Sequence, residues 1–188
     1  MVARWQEGAA GRLQEAALRL YAERGYEQTT VADIASEAGV TARTFFRHYA
    51  DKREVLFAGS ERLRDGMLEA LDAVPPAAGP MAAVAAALDA SAVLLGRDHA
   101  HSRTRGAVIS ANAELMEREL IKMATLAAAM ADELRKRGVP AGDASLAAEA
   151  GAVVLRVAFE QWLNGPPEAS LRDLMRATMA RLPQVAAP

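Results

Sequence analysis

The 188-residue sequence contains no cysteine, and this absence removes several classes of site at once. Disulfide bonds, thiolate metal sites and cysteine nucleophiles are all excluded. No run of eighteen or more apolar residues is present, and the amino-terminal stretch MVARWQEGAAGR lacks the apolar centre of a secretory signal. We therefore expect a protein that works in the cytoplasm and does not enter a membrane.

Catalytic motifs are equally scarce. The chain has no glycine-rich phosphate loop, no G-x-S-x-G elbow and no HExxH metal motif. His99 and His101 are two residues apart, so they point to different sides of a helix, and no third metal ligand accompanies them. We therefore expect no enzyme activity, no metal site and no cofactor.

Strand patterns are rare as well, because apolar residues recur at helical spacing almost throughout the chain. The sequence therefore predicts an all-α protein. A first helix over about residues 11–24 ends at a glycine. Thr30 and Asp33 have the spacing of a capping box for a short second helix, which ends at Gly39, and Thr41 can cap a third helix.

The link between the second and third helices is so short that the sequence predicts a helix-turn-helix. The residues that follow predict one continuous fourth helix from Asp51 to about Ala73, which would act as a rigid rod between two domains. We therefore divide the chain into a three-helix domain over residues 1–56 and a larger helical domain over residues 57–188.

The formal charge of −2 hides an uneven distribution of charge. Residues 41–49, TARTFFRHY, contain Arg43, Arg47 and His48 and no acidic residue. A recognition helix needs side chains that reach base edges in the major groove, together with donors that bind phosphate. Arg43 and Arg47 are one turn apart and can face the same groove, and Arg43 suits a bidentate contact with guanine. The alternative is that these charged side chains simply form the solvent-exposed face of a helix.

The segment AERGYEQTTVADIASEAGVTARTFFRHYADKRE, residues 22–54, resembles the amino-terminal pattern of the TetR family of bacterial transcription regulators. The resemblance implies a three-helix DNA-binding domain, a homodimer and a larger helical domain that binds a small molecule. Carried over position by position, it implies DNA contacts from nine residues: Thr30, Thr41, Ala42, Arg43, Thr44, Phe46, Arg47, His48 and Lys52. Phe46 stands where the family often has tyrosine, and since phenylalanine cannot donate to phosphate, it would contact a thymine methyl group or a sugar.

The second domain carries a weaker signal. Met116, Met123 and Met130 recur at a spacing of seven residues, which indicates either ordinary core packing or an adaptable apolar tunnel for a ligand. Arg103 and Arg105 can bind an anionic head group at the mouth of such a tunnel. The segment MERELIKMATLAAAMADELRKRG, residues 116–138, followed by a helix that ends in FEQWL, resembles the carboxyl-terminal domain of TetR regulators proposed to bind acyl-coenzyme-A-like ligands, including the regulators of mycofactocin systems.

A helix predicted over about residues 143–164 has two apolar faces, with Leu146 and Val153 on one and Gly151 on the other. Because its own core needs only one face, we expect a homodimer built on the two carboxyl-terminal helices, in which Gly151 and Ala147 allow close packing. The sequence therefore predicts a ligand-responsive repressor that binds palindromic double-stranded operator DNA and is released by a small apolar or acyl-CoA-like effector. The alternative is a helical architectural DNA-binding protein without a ligand.

Overall fold

The computed structural model describes residues 8–186, and every regular element within this range is a helix, as predicted. Short 3-10 turns span Glu54–Phe57 and Pro76–Ala78. The α-helices are α1 (Ala9–Arg24), α2 (Val31–Glu37), α3 (Ala42–His48), α4 (Ser60–Asp72), α5 (Pro80–Leu95), α6 (His99–Ser110), α7 (Ala113–Lys136), α8 (Ala141–Asn164) and α9 (Leu171–Ala186). No single helix among residues 8–186 is long and apolar enough to cross a membrane; α5 and α6 pass that test only together, as a bent pair.

The helices form two compact units, and each unit is discontinuous in sequence. The first consists of residues 1–59 and 104–119, and the second of residues 60–103 and 120–188. The sequence predicts a single division at residue 56. In the structure, the end of α6 and the start of α7 also belong to the first unit, where Val108, Ile109 and Leu115 are buried in its core. Residues 1–7 and 187–188, which fall in the two predicted domains, lie outside the described residues.

Local capping in the first unit follows the predicted signals. The Thr30 hydroxyl accepts from the Asp33 backbone N–H at 3.1 Å, and the Asp33 carboxylate accepts from the Thr30 N–H at 2.9 Å, which completes the capping box of α2. After α2, Gly39 has a φ of 65°, a conformation that glycine adopts without strain. The Val40 N–H then donates to the Ala35 carbonyl at 2.9 Å, so the chain turns directly into α3.

The predicted continuous fourth helix is wrong. After the 3-10 turn that ends at Phe57, Ala58 is extended with a ψ of 136°, and Gly59 has a φ of 88°. An α-helix has no place for either backbone conformation, so α4 begins only at Ser60. No rigid rod therefore runs from Asp51 into the second unit.

The second unit is held together mainly by apolar packing among α4, α5, α8, α9 and the later part of α7. Gly151 of α8 faces α5, because a Cβ atom built on it would lie 2.5 Å from a Val84 methyl carbon. The prediction that Gly151 lies at a dimer interface is therefore wrong, since it is buried in the core of its own chain. Arg137, just after α7, donates to the carbonyls of Leu71 and Asp72 at 3.0 and 2.8 Å and so caps the end of α4.

Candidate nucleic-acid interface

The outer side of α3 presents most of the side chains predicted to contact DNA. Phe45 is fully buried and Tyr49 is 9% exposed, so these two rings fix α3 on the core of the first unit. The exposed side chains, which we call the recognition face, are Ala42, Arg43, Phe46, Arg47 and His48. No acid among residues 8–186 forms an ion pair with Arg43 or Arg47. The face is therefore cationic, with one aromatic ring in it.

Two threonines organise the first turn of α3. The Thr41 hydroxyl accepts from the Thr44 backbone N–H at 3.2 Å, and the two hydroxyl oxygens are 3.1 Å apart. One hydroxyl of such a pair donates to the other, so the second keeps its hydrogen for another acceptor. A phosphate oxygen beside this turn would be such an acceptor.

Thr30 and Lys52, both predicted to contact DNA, have partners inside the first unit. The Thr30 hydroxyl donates to the Asp33 carboxylate at 2.6 Å, and this hydrogen bond is the main reason why the pKa of Asp33 is lowered. The Lys52 ammonium donates to the carbonyls of Tyr26 and Thr29 at 2.9 and 3.1 Å and lies 4.2 Å from the Tyr26 ring centroid. An ammonium group has three N–H donors, so Lys52 fixes the turn before α2 and has one donor left.

Polar contacts hold both helices of the helix-turn-helix against α1. The Tyr49 hydroxyl donates to the Ala10 carbonyl at 3.2 Å and accepts from the Gln14 amide at 2.8 Å. Burial raises the pKa of the Tyr49 phenol. The Arg12 Nε–H donates to the Ala38 carbonyl at 3.1 Å, at the end of α2. The recognition face is thus presented on a fixed base.

Ion pairs that the sequence pattern does not predict join the corner between α6 and α7, residues 104–119, to the rest of the first unit. Arg118 is 2.5 Å from Glu54, and Glu114 is 3.0 Å from Arg53. Arg53 also donates to Asp51, and this is the main reason why the pKa of Asp51 is lowered. Glu114 and Arg118 are four residues apart on α7, a spacing typical of a pair within one helix. Their true partners lie far earlier in the chain, so the spacing alone does not reveal them.

The residues predicted to bind an effector are not all in one unit. Arg105 and Met116 belong to the first unit, whereas Arg103, Met123 and Met130 belong to the second. The Arg105 guanidinium donates to the Leu56 carbonyl at 2.7 Å and to Glu119 at 3.0 Å, so it already has protein partners. Met130 is fully buried, Met123 is partly buried and Arg103 is exposed. Packing in the core of the second unit therefore explains the position of Met130. Neither unit alone contains all five residues that were predicted to bind an effector.

A second exposed surface lies on α8. We call it the α8 outer face, and it consists of Leu146, Ala150, Val153 and Val157. Leu146 is 72% exposed and Val153 is 43% exposed, while Ala150 and Val157 are partly buried. The opposite side of α8 is buried in the second unit through Ala147, Gly151, Val154, Ala158 and Trp162. Both predicted apolar sides of this helix are therefore present, and one of them stays largely uncovered within residues 8–186.

Comparison with known proteins identifies the kind of domain to which the recognition face belongs. Residues 13–58 match the family of bacterial regulatory proteins named after tetR. The HTH-type transcriptional regulator TcmR of Streptomyces glaucescens is 38% identical over 104 residues, which cover 54% of this chain and 45% of TcmR. The matched part of the chain thus spans less than half the length of that relative.

Solved structures resemble nearly the whole chain. FadR of Bacillus subtilis, in complex with stearoyl-CoA, has a TM-score of 0.62 at 20% identity, covering 91% of this chain and 96% of FadR. SmeT, the repressor of the Stenotrophomonas maltophilia multidrug efflux pump SmeDEF, has a TM-score of 0.60 at 20% identity, covering 93% of this chain and 88% of SmeT. At such identities the likeness shows the fold alone, and the family match rests on residues 13–58.

Proposed function

We propose that this chain, whose first unit carries a TetR-type DNA-binding domain, is a transcriptional repressor that binds a palindromic operator as a homodimer and is released by a small-molecule effector. The observation that carries the proposal is the recognition face, in which Arg43 and Arg47 are exposed and unpaired with acids within residues 8–186. Its location in the segment matched by the tetR family supports the same function.

On DNA, α3 would lie in the major groove with its amino-terminal turn towards the base edges. Its seven residues span roughly 10 Å at 1.5 Å per residue, a length that fits a groove about 12 Å wide. Arg43 would contact a guanine edge, and Arg47 and His48 would contact phosphate oxygens. The free hydroxyl hydrogen of the Thr41–Thr44 pair would add a donor at the start of the helix, and Lys52 would contribute its remaining N–H donor.

The α8 outer face supports the homodimer. Leu146 and Val153 leave aliphatic surface in water, and a second copy related by a two-fold axis would bury the same residues on both chains. A two-fold dimer presents two recognition faces to two half-sites about one helical turn apart, or a multiple of it. The operator is therefore expected to be an inverted repeat.

An apolar or acyl-CoA-like effector is proposed for the second unit. Met123 is partly buried against a core that also contains Met130, and methionine side chains adapt to flexible ligands. The fold likeness to FadR, which binds stearoyl-CoA in its solved structure, supports the same ligand class. Within this proposal the exposed Arg103 would attract an anionic head group. The same proposal includes that this chain is a regulator of the mycofactocin type.

Effector binding would reach the recognition face through α6 and α7 instead of α4. These two helices contribute residues to both units, whereas the chain before α4 is broken at Gly59. In the first unit, the Arg118–Glu54 pair and the Arg105–Leu56 hydrogen bond attach α7 and α6 to the segment that follows α3. A coupling free energy of about 1 to 3 kcal/mol would change operator affinity roughly 5- to 150-fold.

Selection of bound sequences from random double-stranded DNA tests the regulator. The purified chain should recover an inverted repeat, and long-chain acyl-CoA should lower affinity for it roughly 5- to 150-fold, with free coenzyme A as the control. Recovery of no preferred sequence would contradict the regulator. A preferred sequence whose affinity no acyl-CoA changes would remove the effector class and leave the DNA-binding function in place.

A pair of variants tests the site of the effector. Met123→Trp should fill the proposed site, abolish the acyl-CoA response and leave operator binding intact. The neighbouring Ala124 is exposed, so Ala124→Trp should respond to acyl-CoA as the wild type does. A normal response in Met123→Trp would contradict the proposed site.

Thermal unfolding separates the regulator from an architectural DNA-binding protein without a ligand. An effector at about one hundred times its Kd should stabilise the folded chain by about 2.7 kcal/mol. An architectural protein should show no shift with any acyl-CoA and no preferred sequence in the selection.

A further inference from the structure

The recognition face contains an aromatic side chain that is not buried in the core of the protein. Phe46 is 58% exposed, and it is the one exposed phenylalanine, tyrosine or tryptophan among residues 8–186. The rings of Phe46 and Phe45 form a T-shaped pair with centroids 5.5 Å apart, and more than half of Phe46 remains exposed. Burial in the isolated chain therefore does not account for an aromatic residue at this position.

The position of Phe46 divides the recognition face into two sides. Ala42 and Phe46 are four residues apart on α3 and form an apolar side, while Arg43 and Arg47 are four residues apart and form a cationic side. The two sides lie next to each other around the helix, because successive residues are about 100° apart. A base pair approached by this helix would meet an apolar surface beside guanidinium groups.

The chemistry of the major groove offers one apolar target among the four natural bases, the C5 methyl group of thymine. A phenyl ring has no hydrogen-bond donor for phosphate and none for a base edge. We propose that Phe46 is a specificity-determining residue that selects thymine by packing on its C5 methyl group, next to the guanine contacted from the cationic side. This inference rests on the proposed operator binding, and it predicts a thymine near a guanine in each half-site.

A cycle of protein and DNA changes tests the contact. With the selected operator, each thymine in a half-site is replaced in turn by deoxyuridine, which lacks only the methyl group. For the wild type, one such replacement should weaken binding about 3- to 5-fold per half-site, the effect of removing one buried methyl group. For Phe46→Ala, the same replacement should change affinity by less than about 2-fold, which is the scatter expected for independent effects.

Phe46→Leu and His48→Ala serve as controls. Leucine keeps an apolar surface and should retain part of the sensitivity to deoxyuridine, whereas His48→Ala should weaken binding and keep the full sensitivity. Because Phe46 and His48 are exposed, all three variants should unfold at the temperature of the wild type.

Two results would overturn the assignment of Phe46. If deoxyuridine weakens the wild type and Phe46→Ala equally, another side chain contacts the methyl group. If no deoxyuridine replacement affects the wild type, the ring contacts a sugar or nothing at all. Failure to select any operator is a different outcome, because it contradicts the proposed regulator itself and the inference together with it.

Discussion

Within residues 8–186, the recognition face and the α8 outer face both leave side chains exposed, but they differ in chemistry. The recognition face has two arginines, a histidine and one aromatic ring, whereas the α8 outer face is aliphatic, with its exposed area concentrated on Leu146 and Val153. A cationic face suits a polyanion, and an aliphatic face suits a second apolar surface. This difference supports the proposal that the recognition face binds DNA and that the α8 outer face contacts a second copy of the chain.

Both units have an apolar core, but they differ in the further contacts that position their helices. In the first, hydrogen bonds from side chains such as Tyr49, Arg12 and Lys52 fix the short helices around α3. In the second, long helices pack closely through small residues, as Gly151 does against Val84. Hydrogen bonds hold the helices of the first unit in a fixed orientation, and close packing sets the distance between helices in the second unit. We therefore expect substitutions to have different effects in the two units.

The largest expected effect is on assembly. Leu146→Arg combined with Val153→Arg would place charges in the proposed interface without partners, which costs roughly 3 to 5 kcal/mol. Light scattering should then show monomers that remain folded by circular dichroism. Val93→Arg is the matched control, because Val93 is 51% exposed but lies on α5. Dimers that survive the double substitution would contradict the assignment of the α8 outer face.

The next effect is on the core of the second unit. Gly151→Ala forces a methyl group against Val84 and should lower the free energy of unfolding by about 1 to 3 kcal/mol in urea titrations. Gly142 lies on the same helix with no atom within 4 Å of a built Cβ, so Gly142→Ala should leave stability unchanged or slightly raised. Equal stability of the two variants would contradict the close approach of α8 and α5.

A smaller effect is expected at the capping box of α2. Thr30→Ala removes the acceptor of the Asp33 N–H and should destabilise the start of α2 by about 1 kcal/mol. Hydrogen exchange at the Asp33 amide should become roughly fivefold faster if this amide exchanges by local opening. Thr125→Ala is the control, since Thr125 is exposed in the interior of α7. Unchanged exchange at Asp33 would show that the cap does not hold the helix.

Much of the first unit could be predicted because its signals are local. The Thr30 and Asp33 capping box and the Gly39 turn fix the boundaries of α2 and α3 through residues only a few positions apart. The break at Gly59 was missed because the apolar residues Leu56 and Leu63 continue a helical spacing across it. A positive φ at a single glycine outweighs that periodicity.

The parts that were not predicted depend on contacts between distant segments. The attachment of residues 104–119 to the first unit rests on Arg105, Glu114 and Arg118, whose partners are far away in sequence. The two apolar sides of α8 were predicted, but which of them faces the core was not. The side with Gly151 packs inside because a glycine lets α5 approach closely, which the sequence of one helix cannot reveal.

Arg43→Ala is the sharpest test of whether the recognition face reads DNA sequence. Binding sites are selected with the wild type, with Arg43→Ala and with His48→Ala, and affinities are then measured on a set of single-base operator variants. Arg43→Ala should weaken operator binding by about 1 to 3 kcal/mol and lose the preference at one base position in each half-site, whereas His48→Ala should weaken all sequences alike. An Arg43→Ala protein that keeps the wild-type preference at every position would contradict the account.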